Sequence, residues 1–295
     1  MKILISGGSG LLGTILNNIL SEDNDILTLY NRHKGNCVRF RNAKCELTDF
    51  ELLKEIFENF KPDIVVHLAG ITSPEISDSM LYAEVQKINA EATKFISELC
   101  EKNSSRLIFA STDLVYDSNG NGMLHEYAKI NPLSNYALTK YEAENGIKKI
   151  SDNYIILRLS LQMGFGFPYV NCFFQNMYNK FRNHEKVNLF FDQYRTPISA
   201  IHTAEIISFF CNNDIKNLTV NCGGTERISR VGLGELLCDI AGFDKNLINP
   251  ISLSDVKSVK PVKDVSLSSD LLKSFGLKIP TPEESIIRIL SYNIR

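Results

Sequence analysis

Several features are missing from this sequence of 295 residues, and their absence argues against whole classes of function. There is no tryptophan, and none of the seven cysteines lies in a C-x-x-C pair, so neither a thiol redox motif nor a cysteine metal site is expected. The five histidines show no metal-ligand spacing, so no metal is predicted. No apolar stretch approaches the roughly 18 residues of a membrane-spanning helix, so no membrane association is expected.

An excess of either charge is also missing. The 32 Lys and Arg residues nearly balance the 34 Asp and Glu residues, which gives a formal net charge of −2. With no basic run, the chain offers no reason to expect a nucleic acid or an anionic membrane as partner. The odd number of cysteines in apolar surroundings and the lack of a signal-peptide pattern predict a cytoplasmic protein.

Strand-like and helix-like segments alternate through the first half of the chain. A short apolar run at 2–5 precedes a glycine-rich turn and an amphipathic helix, and 64–68 is continuously apolar. Helices are predicted over about 81–102 and 135–150, and strands over 106–110 and 154–157. This alternation predicts an α/β fold with a Rossmann-type doubly wound parallel sheet. Residues 1–164 are assigned to the Rossmann domain, and 165–295 mainly to a smaller C-terminal lobe, with some segments returning to the Rossmann domain.

The glycine-rich turn lies between the first strand and the first helix. Gly7 suits a tight turn, Gly10 lets the backbone approach a pyrophosphate, and Gly13 lets the helix pack on the strand. The helix N-terminus would offer N–H groups and a positive dipole end. A turn without a ligand is the alternative, but the place between strand and helix favours a dinucleotide. The predicted cofactor contacts in this turn are Gly7, Ser9, Gly10, Leu11, Leu12 and Gly13.

The residues after the second strand bear on the choice of cofactor. An acidic side chain there would bind the adenosine ribose of NAD, whereas a basic one would accept the 2′-phosphate of NADP. The stretch 30–34 contains no acid, and Arg32, helped by Lys34, is the candidate phosphate ligand. A basic loop that is simply exposed to solvent is the alternative. NADP is therefore the predicted cofactor, with NAD as the second choice.

Tyr136 and Lys140 stand four residues apart in a predicted helix, so their side chains share one face. A nearby ammonium would lower the pKa of the phenol, and the lysine could also hold a ribose. Ser111 and Thr112 follow an apolar strand, at the sheet edge where ligands bind. Because successive strand residues face opposite ways, only one of these hydroxyls is expected to reach a substrate carbonyl.

With these residues the chain resembles the extended short-chain dehydrogenase/reductases, and more narrowly their dTDP-4-dehydrorhamnose reductase branch. The similarity covers nearly the whole chain and includes the segments 192–197, 260–261, 266–268 and 275–276. It implies hydride transfer between NADP(H) and a keto nucleotide sugar, with the C-terminal lobe binding the substrate. The similar sugar 4,6-dehydratases carry a second acid where Leu114 follows Asp113 here, which argues against dehydration. The branch often has an aromatic residue where this chain has Leu161.

The resemblance also implies roles for individual residues. Thr112, Tyr136 and Lys140 would form the catalytic triad, with Tyr136 as the general acid. Further cofactor contacts would be Glu46, Leu47, Leu68, Ala69, Gly70 and Asn89. Candidate substrate contacts would be Thr72, Asn171, Arg195 and Lys260.

Two other functions fit the same residues. One is a nucleotide-sugar epimerase that keeps NAD bound through its cycle. The other is a non-catalytic regulatory subunit that binds NADP and a partner enzyme, although such a subunit has no need of the triad. Some family members dimerise, so a homodimer is a further option.

Overall fold

A computed structural model describes residues 1–256 and 262–292. Contacts between residues divide the chain into two compact units. The first unit consists of Met1–Val115, Pro132–Arg158 and Ala204–Val220. The second consists of Tyr116–Asn131, Leu159–Thr203 and the described residues from Asn221 onwards.

The strands alternate with helices through the first unit and become short in the second. In the described residues they are β1 (Lys2–Ser6), β2 (Asp25–Tyr30), β3 (Arg41–Lys44), β4 (Ile64–His67), β5 (Arg106–Thr112), β6 (Tyr154–Leu159), β7 (Gln162–Met163), β8 (Val187–Phe190), β9 (Tyr194–Arg195), β10 (Ile198–Ser199), β11 (Leu218–Cys222), β12 (Ile228–Ser229) and β13 (Ile248–Ile251).

The helices range from one to more than four turns. In the described residues they are α1 (Leu11–Leu20), α2 (Phe50–Phe60), α3 (Pro74–Ser79), α4 (Tyr82–Gln86), α5 (Ala92–Asn103), α6 (Asn135–Ile150), α7 (Phe173–Arg182), α8 (Ala200–Asn212), α9 (Arg230–Ala241), α10 (Asp270–Ser274) and α11 (Pro282–Ser291). A π-helical turn, Lys87–Glu91, joins α4 to α5.

Seven strands form one parallel sheet in the order β11-β6-β5-β4-β1-β2-β3. The chain order reverses between β1 and β4, which pair in parallel with Ser6 opposite His67. Ligands bind beyond the carboxyl ends of the strands at such a switch point. The predicted doubly wound α/β fold is confirmed.

The sheet is stabilised by apolar side chains that are buried on its faces. Strands β1 and β4 are almost entirely buried, and Leu4 and Val65 belong to a core cluster that also contains Phe57, Phe109 and Ile156. A fully buried Leu or Phe of this kind contributes about 1.5–3 kcal/mol by leaving water. This core fixes the strand ends from which the candidate site is built.

Helix α6 follows its prediction closely. It begins after Ser134, whose hydroxyl accepts a hydrogen bond from the backbone N–H of Ala137 at 3.1 Å. Strand β5 extends two residues beyond the predicted 106–110 and therefore includes Ser111 and Thr112.

The second unit contains three small two-stranded sheets, β10 with β7, β12 with β9, and β13 with β8. It also includes the segment Tyr116–Asn131, which lies between β5 and α6 in the chain. Among the described helices of the whole chain, none is long and apolar enough to cross a membrane.

Candidate active site

The glycine turn is the first element of the candidate site. Gly7 has a φ of +74°, in the left-handed region that favours glycine, and its carbonyl accepts the N–H of Gly10 at 3.0 Å. A Cβ on Gly13 would lie 2.2 Å from the Gly7 carbonyl oxygen, so only glycine lets α1 pack against the turn. Gly10 is the N-cap of α1, and no side chain caps this end. The first N–H groups of α1, from Leu11 onwards, are thus oriented to receive an anion.

The ends of β2 and β3 carry the predicted contacts for the adenosine side of a cofactor. Arg32 is exposed, and no partner for its guanidinium occurs within residues 1–256 and 262–292. Lys34 lies over the Tyr30 ring, with its Nζ 5.8 Å from the ring centroid. Glu46 is exposed, whereas Leu47 is half-buried and packs against the core cluster.

The loop after β4 contains Leu68, Ala69 and Gly70 beside the glycine turn. The backbone N–H groups of Leu68 and Ala69 donate to the Ser6 hydroxyl at 3.2 and 3.3 Å. A Cβ on Gly7 would lie only 2.9 Å from the backbone nitrogen of Ala69, so the two loops are in close contact. These predicted cofactor contacts therefore come together at the switch point.

Asn89 lies in the π-helical turn and is buried. Its side chain accepts the Ile71 N–H at 2.8 Å and donates to the Ile71 carbonyl at 3.1 Å. It also donates to the Thr139 hydroxyl at 3.2 Å. These contacts join the loop after β4 to α6. Asn89 therefore holds the backbone around Gly70 through hydrogen bonds to Ile71 and Thr139.

The hydroxyls of Ser111 and Thr112 have different surroundings. Ser111 donates to the buried carboxylate of Glu144 at 2.6 Å. Thr112 instead lies close enough to the Tyr136 phenol to lower its pKa, and its hydroxyl accepts the Leu114 N–H at 3.2 Å and donates to Asp113 at 3.3 Å. Thr112 is thus the hydroxyl on the side of the tyrosine, whereas Ser111 is bonded to Glu144.

Tyr136 and Lys140 are both buried on α6, with 8% and 2% of their surfaces exposed. The Lys140 ammonium donates to the Ala110 carbonyl at 2.8 Å and lies 4.5 Å from the centroid of the Phe109 ring. A Cβ on Gly70 would come within 3.9 Å of Lys140 Nζ. Strand β5, helix α6 and the loop after β4 therefore meet at these two side chains.

The electrostatics differ from the sequence expectation that Lys140 lowers the pKa of Tyr136. Burial raises the pKa of Tyr136 to about 12; the Thr112 hydrogen bond opposes this shift, and the Asp113 charge adds to it. Burial lowers the pKa of Lys140 to about 8, against the attraction of Glu144. The phenol is thus protonated at neutral pH, and desolvation is the main cause of both pKa shifts.

A buried ion pair beneath the site escaped the sequence analysis. The Arg158 guanidinium contacts both carboxylate oxygens of Glu144, at 3.0 and 2.6 Å, and Glu144 is fully buried. Glu144 follows Lys140 by one helical turn, as Lys140 follows Tyr136. This i, i+4 spacing could have revealed that Glu144 lies on the same helix face as the two candidate catalytic residues.

His67 is a core histidine, as its place in an apolar strand suggests. Its ring nitrogens lie 2.6 Å from the Ser6 hydroxyl and 3.0 Å from the Thr93 hydroxyl. Burial, and secondarily the Lys140 charge, lower the pKa of His67 to about 3, so the ring is neutral. In the described part of the chain no group of three or more His, Cys, Asp or Glu residues could hold a metal ion.

The predicted substrate contacts are distributed over both units. Thr72 is exposed in the first unit, between β4 and α3. In the second unit, Asn171 is exposed and accepts from Asn176 at 2.8 Å. Arg195 is buried in β9, and one of its amino groups donates to the Tyr194 carbonyl at 2.8 Å. Lys260 lies outside the described residues.

A family model, relatives in sequence and solved structures all match nearly the whole chain. The model of the RmlD substrate binding domain family matches residues 1–293. A dTDP-4-dehydrorhamnose reductase of Aggregatibacter actinomycetemcomitans is 23% identical over 303 residues, which cover 99% of each chain. Methionine adenosyltransferase 2 subunit beta of Bos taurus is 23% identical over 95% of this chain and 84% of its own length. A solved dTDP-4-dehydrorhamnose reductase from Bacillus anthracis, in complex with NADP, shares the fold with a TM-score of 0.87, 20% identity and 98% coverage of both chains.

Proposed function

The chain belongs to the RmlD substrate binding domain family, and on that premise we propose that it is an NADP(H)-dependent reductase of a keto nucleotide sugar. The observation that carries this proposal is the contact between the Thr112 hydroxyl and the Tyr136 phenol, with the Lys140 ammonium one helical turn away. Relatives that bear the name dTDP-4-dehydrorhamnose reductase support a nucleotide-linked 4-keto sugar as the substrate class.

The described residues fit a dinucleotide. The close approach of α1 to the glycine turn and the absence of a side-chain cap at Gly10 leave backbone N–H groups for a pyrophosphate. Arg32, exposed and without a protein partner in the described chain, suits the 2′-phosphate of NADP, and no acid stands in its place. Glu46, Leu47 and the loop after β4 would border the rest of the cofactor.

NADPH, when bound, supplies the hydride that the carbonyl carbon receives. Tyr136 then donates the phenolic proton to the carbonyl oxygen, since the pKa of about 12 keeps the phenol protonated at neutral pH. The Thr112 hydroxyl lies beside the phenol and would polarise the same oxygen. The Lys140 charge, held by the Ala110 carbonyl, would stabilise the phenolate that remains.

For the substrate we propose contacts from Thr72, Asn171 and Arg195, with Lys260 as a further candidate. We also infer a cytoplasmic location, because all seven cysteines are free and buried.

The test is NADPH oxidation with a panel of nucleotide sugars, some with a 4-keto group and some with a 4-hydroxyl group. We expect turnover with one or more 4-keto sugars and none with their 4-hydroxyl counterparts. Tyr136→Phe should reduce turnover by about 10²–10⁴-fold, the usual contribution of a general acid. Tyr141→Phe, a change of the same kind on the same helix, should leave turnover within about twofold of the wild type. Full activity of Tyr136→Phe would refute the assigned role.

A second candidate is the non-catalytic subunit, favoured by the similarity to methionine adenosyltransferase 2 subunit beta. Such a subunit would bind NADPH without oxidising it in the presence of any keto sugar. The arrangement of Thr112, Tyr136 and Lys140 supports the reductase instead, since binding alone does not require a buried ammonium beside a phenol.

A further inference from the structure

A buried polar network lies behind the basic loop that follows β2. Asn17 in α1 and Asn36 in the loop are 0% and 4% exposed. The Asn17 side-chain amide donates to the Gly8 carbonyl of the glycine turn at 2.9 Å, and to the Asn36 side-chain oxygen at 2.9 Å. The Asn36 amide donates in turn to the Thr14 carbonyl of α1 at 2.8 Å. The loop is therefore bonded to α1 and, through Asn17, to the glycine turn.

Cys37 provides a second anchor for the same loop. Its buried sulfur lies 3.4 Å from the Thr28 hydroxyl in β2 and 3.7 Å from the Asn17 amide nitrogen. A Cβ on Gly8 would lie 1.7 Å from the Thr28 hydroxyl and 3.1 Å from the Cys37 sulfur. There is thus no room for a side chain at Gly8, where the loop, β2 and the glycine turn meet.

The exposed side of the loop contrasts with this buried side. Arg32 and Lys34 are exposed, and Arg32 has no protein partner in the described residues. A long arginine side chain loses conformational entropy when it binds a phosphate, so a fixed backbone beneath it reduces the cost of binding. Through Asn36 and Cys37, the network holds the loop that carries Arg32 to the turn that would receive the pyrophosphate.

The network is not arranged for stability alone. The side-chain oxygen of Asn17 is buried and has no hydrogen-bond partner among the described residues. A buried acceptor without a donor costs about 1–3 kcal/mol, so this arrangement of the Asn17 amide carries a cost in stability. Both amide hydrogens of Asn17 are used to join the two loops.

We propose that Asn17 and Asn36 are positioning residues for cofactor selection, because they set the spacing between the glycine turn and Arg32 and so favour a dinucleotide with a 2′-phosphate. This inference rests on the proposed NADP site. NADH would bind the turn but has no 2′-phosphate for Arg32, so its affinity should depend less on the spacing between the turn and Arg32.

The experiment is titration of the purified protein with NADPH and with NADH, followed by cofactor fluorescence in the absence of substrate. Asn36→Ala should weaken NADPH binding about tenfold, equivalent to about 1.4 kcal/mol, and NADH binding by no more than about twofold. The matched control is Asn24→Ala, which removes a side-chain bond to the Leu20 carbonyl at the other end of α1. It should leave the ratio of the two affinities unchanged.

Other outcomes separate the inference from the proposed function. Equal weakening of NADPH and NADH, or no change of either, would show a purely structural role and overturn the inference. If Asn36→Ala does not fold, Cys37→Ala, which removes the second anchor, should shift the affinity ratio in the same direction, and an unchanged ratio would overturn the inference. Arg32→Ala tests the NADP site itself: if the wild type does not prefer NADPH and Arg32→Ala changes nothing, the NADP site is wrong.

Discussion

The candidate active site has two halves that are built in different ways. The cofactor half consists of the glycine turn and the loops after β2 and β4, and it offers backbone N–H groups and the exposed Arg32. The catalytic half consists of Thr112, Tyr136 and Lys140, whose ionisable groups are buried and have displaced pKa values. The geometry of the cofactor half depends on positions where only glycine fits. The properties of the catalytic half depend on burial and on the neighbouring charges.

This difference determines how each half responds to substitution. Backbone N–H groups do not titrate, so the cofactor half should retain its ligand over a wide pH range. The catalytic half carries the free-energy cost of desolvated charge, so it should couple activity, stability and pH.

The largest effect is expected at the ion pair beneath the catalytic half. Glu144→Ala should lower the free energy of unfolding by about 3–5 kcal/mol, because it removes the carboxylate that pairs with the buried Arg158 guanidinium. Glu98→Ala removes an exposed pair with Lys94, separated by 3.8 Å, and should cost no more than about 1 kcal/mol. Urea denaturation of both variants provides the measurement. Similar costs for the two would show that burial does not distinguish these pairs.

The next effect is a pH dependence of stability from His67. The folded pKa of about 3 lies below the ordinary value of 6.5, so between these values the unfolded chain binds a proton that the folded chain does not. Stability is therefore full above about pH 6.5 and falls as the pH decreases, by about 2 kcal/mol from this residue at pH 5. The groups facing the ring are Ser6, Thr93, Phe109 and the Lys140 charge. Urea denaturation of wild type and His67→Gln at pH 6.5 and at pH 5 should show a smaller decrease in the free energy of unfolding for the variant. Equal decreases would contradict the low pKa of His67.

A smaller effect, of opposite sign, is expected at Lys140. Burial lowers the pKa of Lys140 to about 8, so keeping the ammonium charged at pH 7 destabilises the folded state. Lys140→Met should therefore raise the free energy of unfolding by about 1–2 kcal/mol at pH 7 while it abolishes turnover. The gain should decrease as the pH rises through 8 and the wild-type lysine loses its proton. A variant less stable than wild type at pH 7 would contradict this account.

The two halves also differ in how far the sequence predicted them. The spacing of Gly7, Gly10 and Gly13 is a local pattern, and the structure places these glycines as the pattern predicts. The alternation of strands and helices likewise predicted the sheet, because it is a property of local hydrophobic periodicity. Arg32 could be placed at the end of β2 from the strand boundary alone.

The catalytic half was only partly predictable, because its decisive contacts are distant in sequence. The choice between Ser111 and Thr112 depends on Glu144, which sequesters one hydroxyl from a different element. The π-helical turn around Asn89 leaves no mark in residue periodicity, since it changes the backbone hydrogen bonds and not the apolar pattern. The pKa of Tyr136 depends on burial, which a four-residue spacing does not reveal.

A single variant can show whether cofactor binding and catalysis belong to separate halves of the site. Cofactor fluorescence and NADPH oxidation can both be measured on Tyr136→Phe. We expect NADPH affinity within about threefold of the wild type, and turnover of a 4-keto nucleotide sugar reduced about 10²–10⁴-fold. Loss of NADPH binding together with turnover, or turnover at the wild-type rate, would show that Tyr136 does not act in the chemistry alone.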